Sequence, residues 1–89
     1  MSGEPSPILL TRPGCHLCDE VRGPLAALAA RRGLHLAERS VESDPQSEAR
    51  FGKRIPVLLW DGMVIAEGRF SPQTAIDEVL ARAARRTIW

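Results

Sequence analysis

No apolar run in this chain approaches the ~20 residues that a membrane-spanning helix needs. The opening stretch Met1-Ser2-Gly3-Glu4-Pro5-Ser6-Pro7 also lacks the basic and apolar blocks of a secretory leader. The expectation is therefore a cytoplasmic protein. An excess of either charge is missing too. Twelve basic residues against eleven acidic ones leave a formal net charge of +1, so the balance points to neither nucleic acid nor an anionic membrane as partner. Lysine occurs once, at Lys53, and the other basic residues are arginine. With the abundant alanine, that reads as a GC-rich coding bias. Cysteine is confined to Cys15 and Cys18. In a reducing cytosol such a pair does not read as a structural staple, and a bridge across so short a loop removes little entropy from the unfolded chain. A second cysteine pair, which would complete a zinc site, is absent. His16 lies inside the same turn, and His35 reads as a strand surface residue, so neither completes one well.

What remains is a composition of 44% apolar and 26% charged residues, that of a globular chain. Its 89 residues suffice for one domain with a modest core. Residues 1–7 read as a flexible tail and residues 8–89 as the domain. Ile8-Leu9-Leu10-Thr11 is a continuous apolar run suited to a strand buried on both faces, and Arg12-Pro13-Gly14 ends it. Residues 15–32 repeat Leu17, Val21, Leu25 and Leu28 at steps of three and four, a helical face that would meet a sheet. Gly23-Pro24 inside that pattern predicts a kink, and Gly33 fits the stop. Residues 34–41 alternate as a strand. Asp44-Pro45 and Ser71-Pro72 each start a helix with a cap followed by proline. The first of these helices stops at Gly52 with Phe51 inward; the second carries Ile76, Val79, Leu80 and Ala83 as its apolar stripe, a Glu78–Arg82 pair, and Arg85 and Arg86 at its end. Between them, Val57-Leu58-Leu59-Trp60 and Met63-Val64-Ile65-Ala66 flank Asp61-Gly62, a hairpin turn of type I′. The order βαβαββα makes an α/β fold: a mixed four-stranded sheet flanked by three helices, with the first two strands parallel.

The candidate site is the turn that carries the cysteines. Cys15 at the start of the first helix puts its sulfur near unpaired backbone N–H groups and the positive end of the helix dipole, which favour a thiolate. Cys18 lies one turn further on the same face, less exposed, placed to attack a mixed disulfide formed at Cys15. Arg12 and His16 favour the anion. Asp19 and Glu20 oppose it, so the expectation is a moderately lowered Cys15 pKa. Trp60, Phe51 and Phe70 read as core or rim, Met63 as filler, and Trp89 as either packed back or frayed. Arg50, Lys53 and Arg54 form a basic cluster that either borders the site or is a solvated loop.

Thr11 to Cys18, Ile55-Pro56 ahead of an apolar strand, and Asp61-Gly62 at the hairpin together resemble the glutaredoxin-like members of the thioredoxin superfamily. They are most similar to small bacterial proteins with a Thr-Arg-Pro-Gly-Cys-His-Leu-Cys signature, and the likeness extends over residues 8–86. The resemblance implies a thiol–disulfide oxidoreductase in which Cys15 and Cys18 are catalytic. It implies that Pro56 is the superfamily's cis-proline and that the backbone of Ile55 pairs with an extended substrate. It also suggests glutathione as substrate or reductant. Arg12 stands where typical members place a lysine that meets a glutathione carboxylate. The Gly-Gly-x-Asp stretch of typical members is replaced by Glu67-Gly68-Arg69-Phe70-Ser71, in which only Gly68 and Ser71 echo it. Arg69 is either a substitute anion contact or a solvated arginine. The expected partners are disulfide-containing proteins or glutathione, with no bound cofactor, and the chain is expected to be a monomer. Two other functions share the signature: an iron–sulfur carrier holding a cluster between two subunits, and an adaptor whose cysteines are idle.

Overall fold

The computed structural model describes residues 6–86. In chain order it contains β1 (Ile8–Thr11), α1 (His16–Arg31), β2 (Ala37–Ser40), a single 3₁₀ turn at Val41–Ser43, α2 (Pro45–Phe51), β3 (Val57–Trp60), β4 (Met63–Glu67) and α3 (Pro72–Arg86). The sheet runs β2-β1-β3-β4. β1 and β2 are parallel, as a helical crossover requires, while β1 with β3 and β3 with β4 are antiparallel. The βαβαββα order and the mixed four-stranded sheet are those expected from the sequence.

The apolar runs become the two central strands, and their alternation divides the core. Leu9, Leu58 and Trp60 face α1 and α3, where Val21, Leu25, Ala29, Ile76 and Val79 meet them. Leu10 and Val57 point through the other face of the sheet to Val41 and Phe51. Strands buried on both sides need apolar residues at successive positions, and these two supply them. β2, at one edge, is mostly polar.

The helix signals hold in detail. The Asp44 side chain accepts the Gln46 N–H at 3.2 Å ahead of Pro45, and the Ser71 Oγ accepts the Thr74 N–H at 3.3 Å ahead of Pro72. At the end of α1, Gly33 takes φ +78°. The Leu34 N–H donates to the Ala29 carbonyl and the Gly33 N–H to Ala30, the pairing of a Schellman stop. Asp61 and Gly62 both have positive φ, 54° and 80°, as a type I′ turn demands. Glu78 and Arg82 pair at 2.7 Å.

α1 runs as one helix through Gly23-Pro24 to Arg31, with Glu20 and Pro24 both exposed. Three expectations change. Leu17 does not join the sheet-facing stripe with Val21 and Leu25; it is half-buried and borders a surface groove. β2 is shorter than its alternating pattern: Leu34 and Leu36 pack on the core while approaching it, and the fully buried Val41 falls in the 3₁₀ turn beyond it. Pro7, grouped with the tail, is fully buried and its carbonyl accepts the Ala37 N–H at 2.9 Å. Trp89 and the first five residues lie outside the described residues. So does the side chain of Arg86.

Candidate active site

β1 ends at Thr11, and the next three residues reverse the chain. Gly14, at φ +82°, takes the left-handed conformation of that turn. The Cys15 N–H closes it by donating to the Arg12 carbonyl at 3.1 Å. Cys15 is then the N-cap of α1: its backbone is extended, and its Sγ accepts the Cys18 N–H at 3.1 Å. A sulfur thus takes the capping place usually filled by a hydroxyl or carboxylate oxygen. Cys15 is partly exposed and Cys18 is fully buried. The two are joined in a disulfide with Cα atoms 5.2 Å apart, inside the usual range for that bond.

Charged groups next to the turn are largely paired with one another. Glu38, on β2, accepts two bonds from Arg22 Nε at 2.9 and 3.0 Å and one from the buried Thr11 hydroxyl at 3.0 Å. Arg22 Nη1 also holds Asp19 at 2.8 Å. The hydrogen bond from Arg22 is the largest influence on Glu38 and holds its carboxyl below the usual carboxylate range, while burial pulls the other way. Glu38 in turn raises the Arg22 pKa. Asp19, expected from the sequence to oppose a thiolate, has its charge offset by Arg22. Glu20 lies 3.5 Å from His16.

Arg12 points elsewhere. Its Nη2 donates to Glu48 Oε2 at 2.6 Å and to the Gly52 carbonyl at 3.3 Å, both in or just after α2. Ile55 is half-buried, Pro56 is buried, and the peptide bond between them is cis. Because Leu10 pairs with Val57, Pro56 lies beside the end of β1 from which the cysteine turn departs. Gly68, at φ +69°, donates its N–H to the carbonyls of both Pro56 and Arg54, at 2.8 and 3.1 Å. Gly68 and the exposed Arg69 line a groove of about 340 Å³ with Leu17, Val21, Pro24 and Phe70. So the turn, the proline and the Gly68 segment share one end of the sheet. Arg12 is bound to α2. Two members of the basic cluster pack on a neighbour: Arg50 and Arg54 lie over the Phe51 ring at 4.9 and 5.3 Å, and Arg54 also pairs with Glu67.

Sequence reasoning missed Glu48, Gly52, Glu38 and Arg22. Glu48 and Arg12 are 36 positions apart, and no local pattern joins them. Gly52 was legible as a helix stop, but not as the space a guanidinium occupies. Leu17 followed the helical period and still turned out to border the groove.

A parallel-then-hairpin sheet with a capping Cys-x-x-Cys turn at its end defines a thioredoxin-fold protein with a dithiol–disulfide pair. The family profile of the glutaredoxin-like domain (DUF836) matches residues 7–82; the chain belongs to that family. The uncharacterised protein Rv0508 of Mycobacterium tuberculosis is 39% identical over an aligned stretch of 59 residues, covering 61% of each chain. The chain thus matches about three fifths of that relative's length. Among solved structures, protein Ne2328 of Nitrosomonas europaea superposes with a TM-score of 0.70 at 20% identity, over 88% of this chain and 93% of that one. Fasciola hepatica thioredoxin superposes at 0.61 with 14% identity, over 90% and 82%. At such identities these two likenesses speak for the fold alone. Among the described residues no helix is long and apolar enough to cross a membrane.

Proposed function

We propose that the protein is a thiol–disulfide oxidoreductase with Cys15 as nucleophile and Cys18 as resolving thiol. The observation that carries this reading is the position of the Cys15 sulfur, capping α1 and accepting the Cys18 N–H, with the second sulfur within bonding reach. In the reduced protein the same N–H and the helix dipole favour the Cys15 thiolate. That thiolate attacks one sulfur of a substrate disulfide; a mixed disulfide forms and the first substrate thiol leaves, taking a proton. Cys18, deprotonated, then attacks the Cys15 sulfur, the second substrate thiol leaves, and the Cys15–Cys18 disulfide is restored. Two electrons pass to the substrate, and an external thiol reductant returns them to the protein.

The substrates of this reading are protein disulfides or glutathione mixed disulfides, with glutathione as one candidate reductant, in a monomeric cytoplasmic protein. The Ile55 backbone beside Pro56 would pair with an extended substrate segment, while Gly68 and Arg69 border the neighbouring groove. The test is turnover of insulin and of hydroxyethyl disulfide with two variants. Cys15→Ser is expected to lose activity by at least about a hundredfold. Cys18→Ser is expected to accumulate a mixed disulfide on Cys15, visible as an added mass that a reductant removes. Undiminished turnover by Cys15→Ser would refute the assignment.

A further inference from the structure

Arg12 is the cation nearest in sequence to the redox turn on its strand side, and it is already occupied. Glu48 Oε2 holds its Nη2 at 2.6 Å, and the Gly52 carbonyl takes a further bond at 3.3 Å. The fit extends to the residue beneath. A Cβ at Gly52 would lie 2.5 Å from the Glu48 backbone carbonyl, which is fixed, and 2.8 and 2.9 Å from the movable ends of Arg12 and Glu48, so the pair closes directly over Gly52. Arg12 Nε is buried without a hydrogen-bond partner, an arrangement unfavourable for the guanidinium unless the rest of it is well held. Around the same turn, Arg22 is taken by Glu38 and Asp19. Arg69, which lines the groove beside Leu17, is exposed and makes no ion pair among the described residues.

We infer that Glu48 is a specificity-determining residue: its carboxylate occupies Arg12 and thereby withholds one cation from the carboxylates of small anionic thiols such as glutathione. The inference rests on the oxidoreductase reading and narrows its substrates. Disulfides within polypeptides, which need no carboxylate contact at Arg12, are favoured over glutathione mixed disulfides. Removing the Glu48 carboxylate frees Arg12 for an incoming anion. The gain is set by the internal pair it replaces. Both side chains are about a third or more exposed, at 32% and 44%, so the effect is a few-fold and not orders of magnitude.

Two readouts separate this inference from the reading beneath it. In the first, S-methylglutathione, which cannot form a disulfide, is titrated into the protein while backbone amide resonances are followed. Glu48→Gln keeps the side chain's shape and Glu48→Ala removes the carboxylate, leaving Arg12 only its bond to the Gly52 carbonyl; circular dichroism and melting establish that each is folded. Both are expected to bind the probe about three to five times more tightly than the wild type. The double variant Arg12→Gln with Glu48→Ala returns to the wild-type value. Equal affinity in the wild type and both single variants overturns the inference. So does a gain that survives loss of Arg12. In the second readout, one peptide is offered as its glutathione and as its cysteamine mixed disulfide, the latter having no carboxylate. Glu48→Ala is expected to lower KM for the first about three- to fivefold and leave the second unchanged; equal changes for both overturn the inference. If no form of the protein reduces either peptide, the oxidoreductase reading fails, and the binding titration still decides the role of Glu48.

Discussion

Single residues at this site act through what they are bonded to. The Cys15 sulfur faces a backbone N–H and the start of a helix, whereas Cys18, three positions on, is fully buried. Glu38 shows the same dependence on partners. Its carboxyl is held below the ordinary value of 4.5 chiefly by Arg22. A carboxylate whose folded pKa is depressed adds stability above its unfolded pKa, and that stability is lost as pH falls through the lower folded value. The melting temperature of the wild type is therefore expected to fall as pH drops below about 4.5. Glu38→Gln should be less stable at pH 7 and show a shallower fall on acidification. The side chains of Arg22 and Glu38 are 40% and 38% exposed, so solvent screening limits the difference to about 1 kcal/mol or less. Melting curves of both proteins from pH 7 to pH 3 check this; parallel curves would show that Glu38 contributes nothing through its charge. From the sequence, Arg12, Asp19 and Cys15 were legible as chemistry near one turn. Their actual partners were not, because the carboxylates that neutralise Arg12 and Arg22 arrive from α2 and β2.

At the scale of elements, local signals carried most of the information. Asp44-Pro45, Ser71-Pro72, Gly33 and Asp61-Gly62 each act through bonds within a few residues, and each adopts the geometry its residue type favours. Asp44→Ala removes the acceptor for the Gln46 N–H and for the Ser47 hydroxyl, 3.2 Å away in each case. It is expected to destabilise the protein by about 1 kcal/mol, with Asp44→Asn recovering most of the loss. Urea unfolding measures both; an unchanged midpoint for Asp44→Ala would show that packing of Phe51 alone holds α2. Where an element's limits depended on distant packing, local reading fell short. Residues 34–41 alternate like a strand throughout, yet pairing with β1 covers only Ala37–Ser40. Pro24 breaks the local rule for a helix interior, yet α1 runs through it with Val21, Leu25 and Ala29 packed in the core.

Across the whole molecule, the apolar strands β1 and β3 do two jobs. They divide the core into a face covered by α1 and α3 and a face covered by α2, and their ends bring the cysteine turn, Pro56 and Gly68 to one edge. The element order and the central strands were readable because continuous apolar runs have few other homes. The groove beside Leu17 was not, since it exists only where α1 meets the segment leading into α3. The claim on which the account depends is that the assembled fold makes one of two nearby thiols the nucleophile. The most direct measurement is the pH dependence of alkylation of the reduced protein by iodoacetamide, with mass spectrometry locating the label. The account predicts that Cys15 is labelled first, with a midpoint below the free-thiol value of about 8.5, while Cys18 resists. Labelling that begins at Cys18, or a Cys15 midpoint at the free-thiol value, would contradict it.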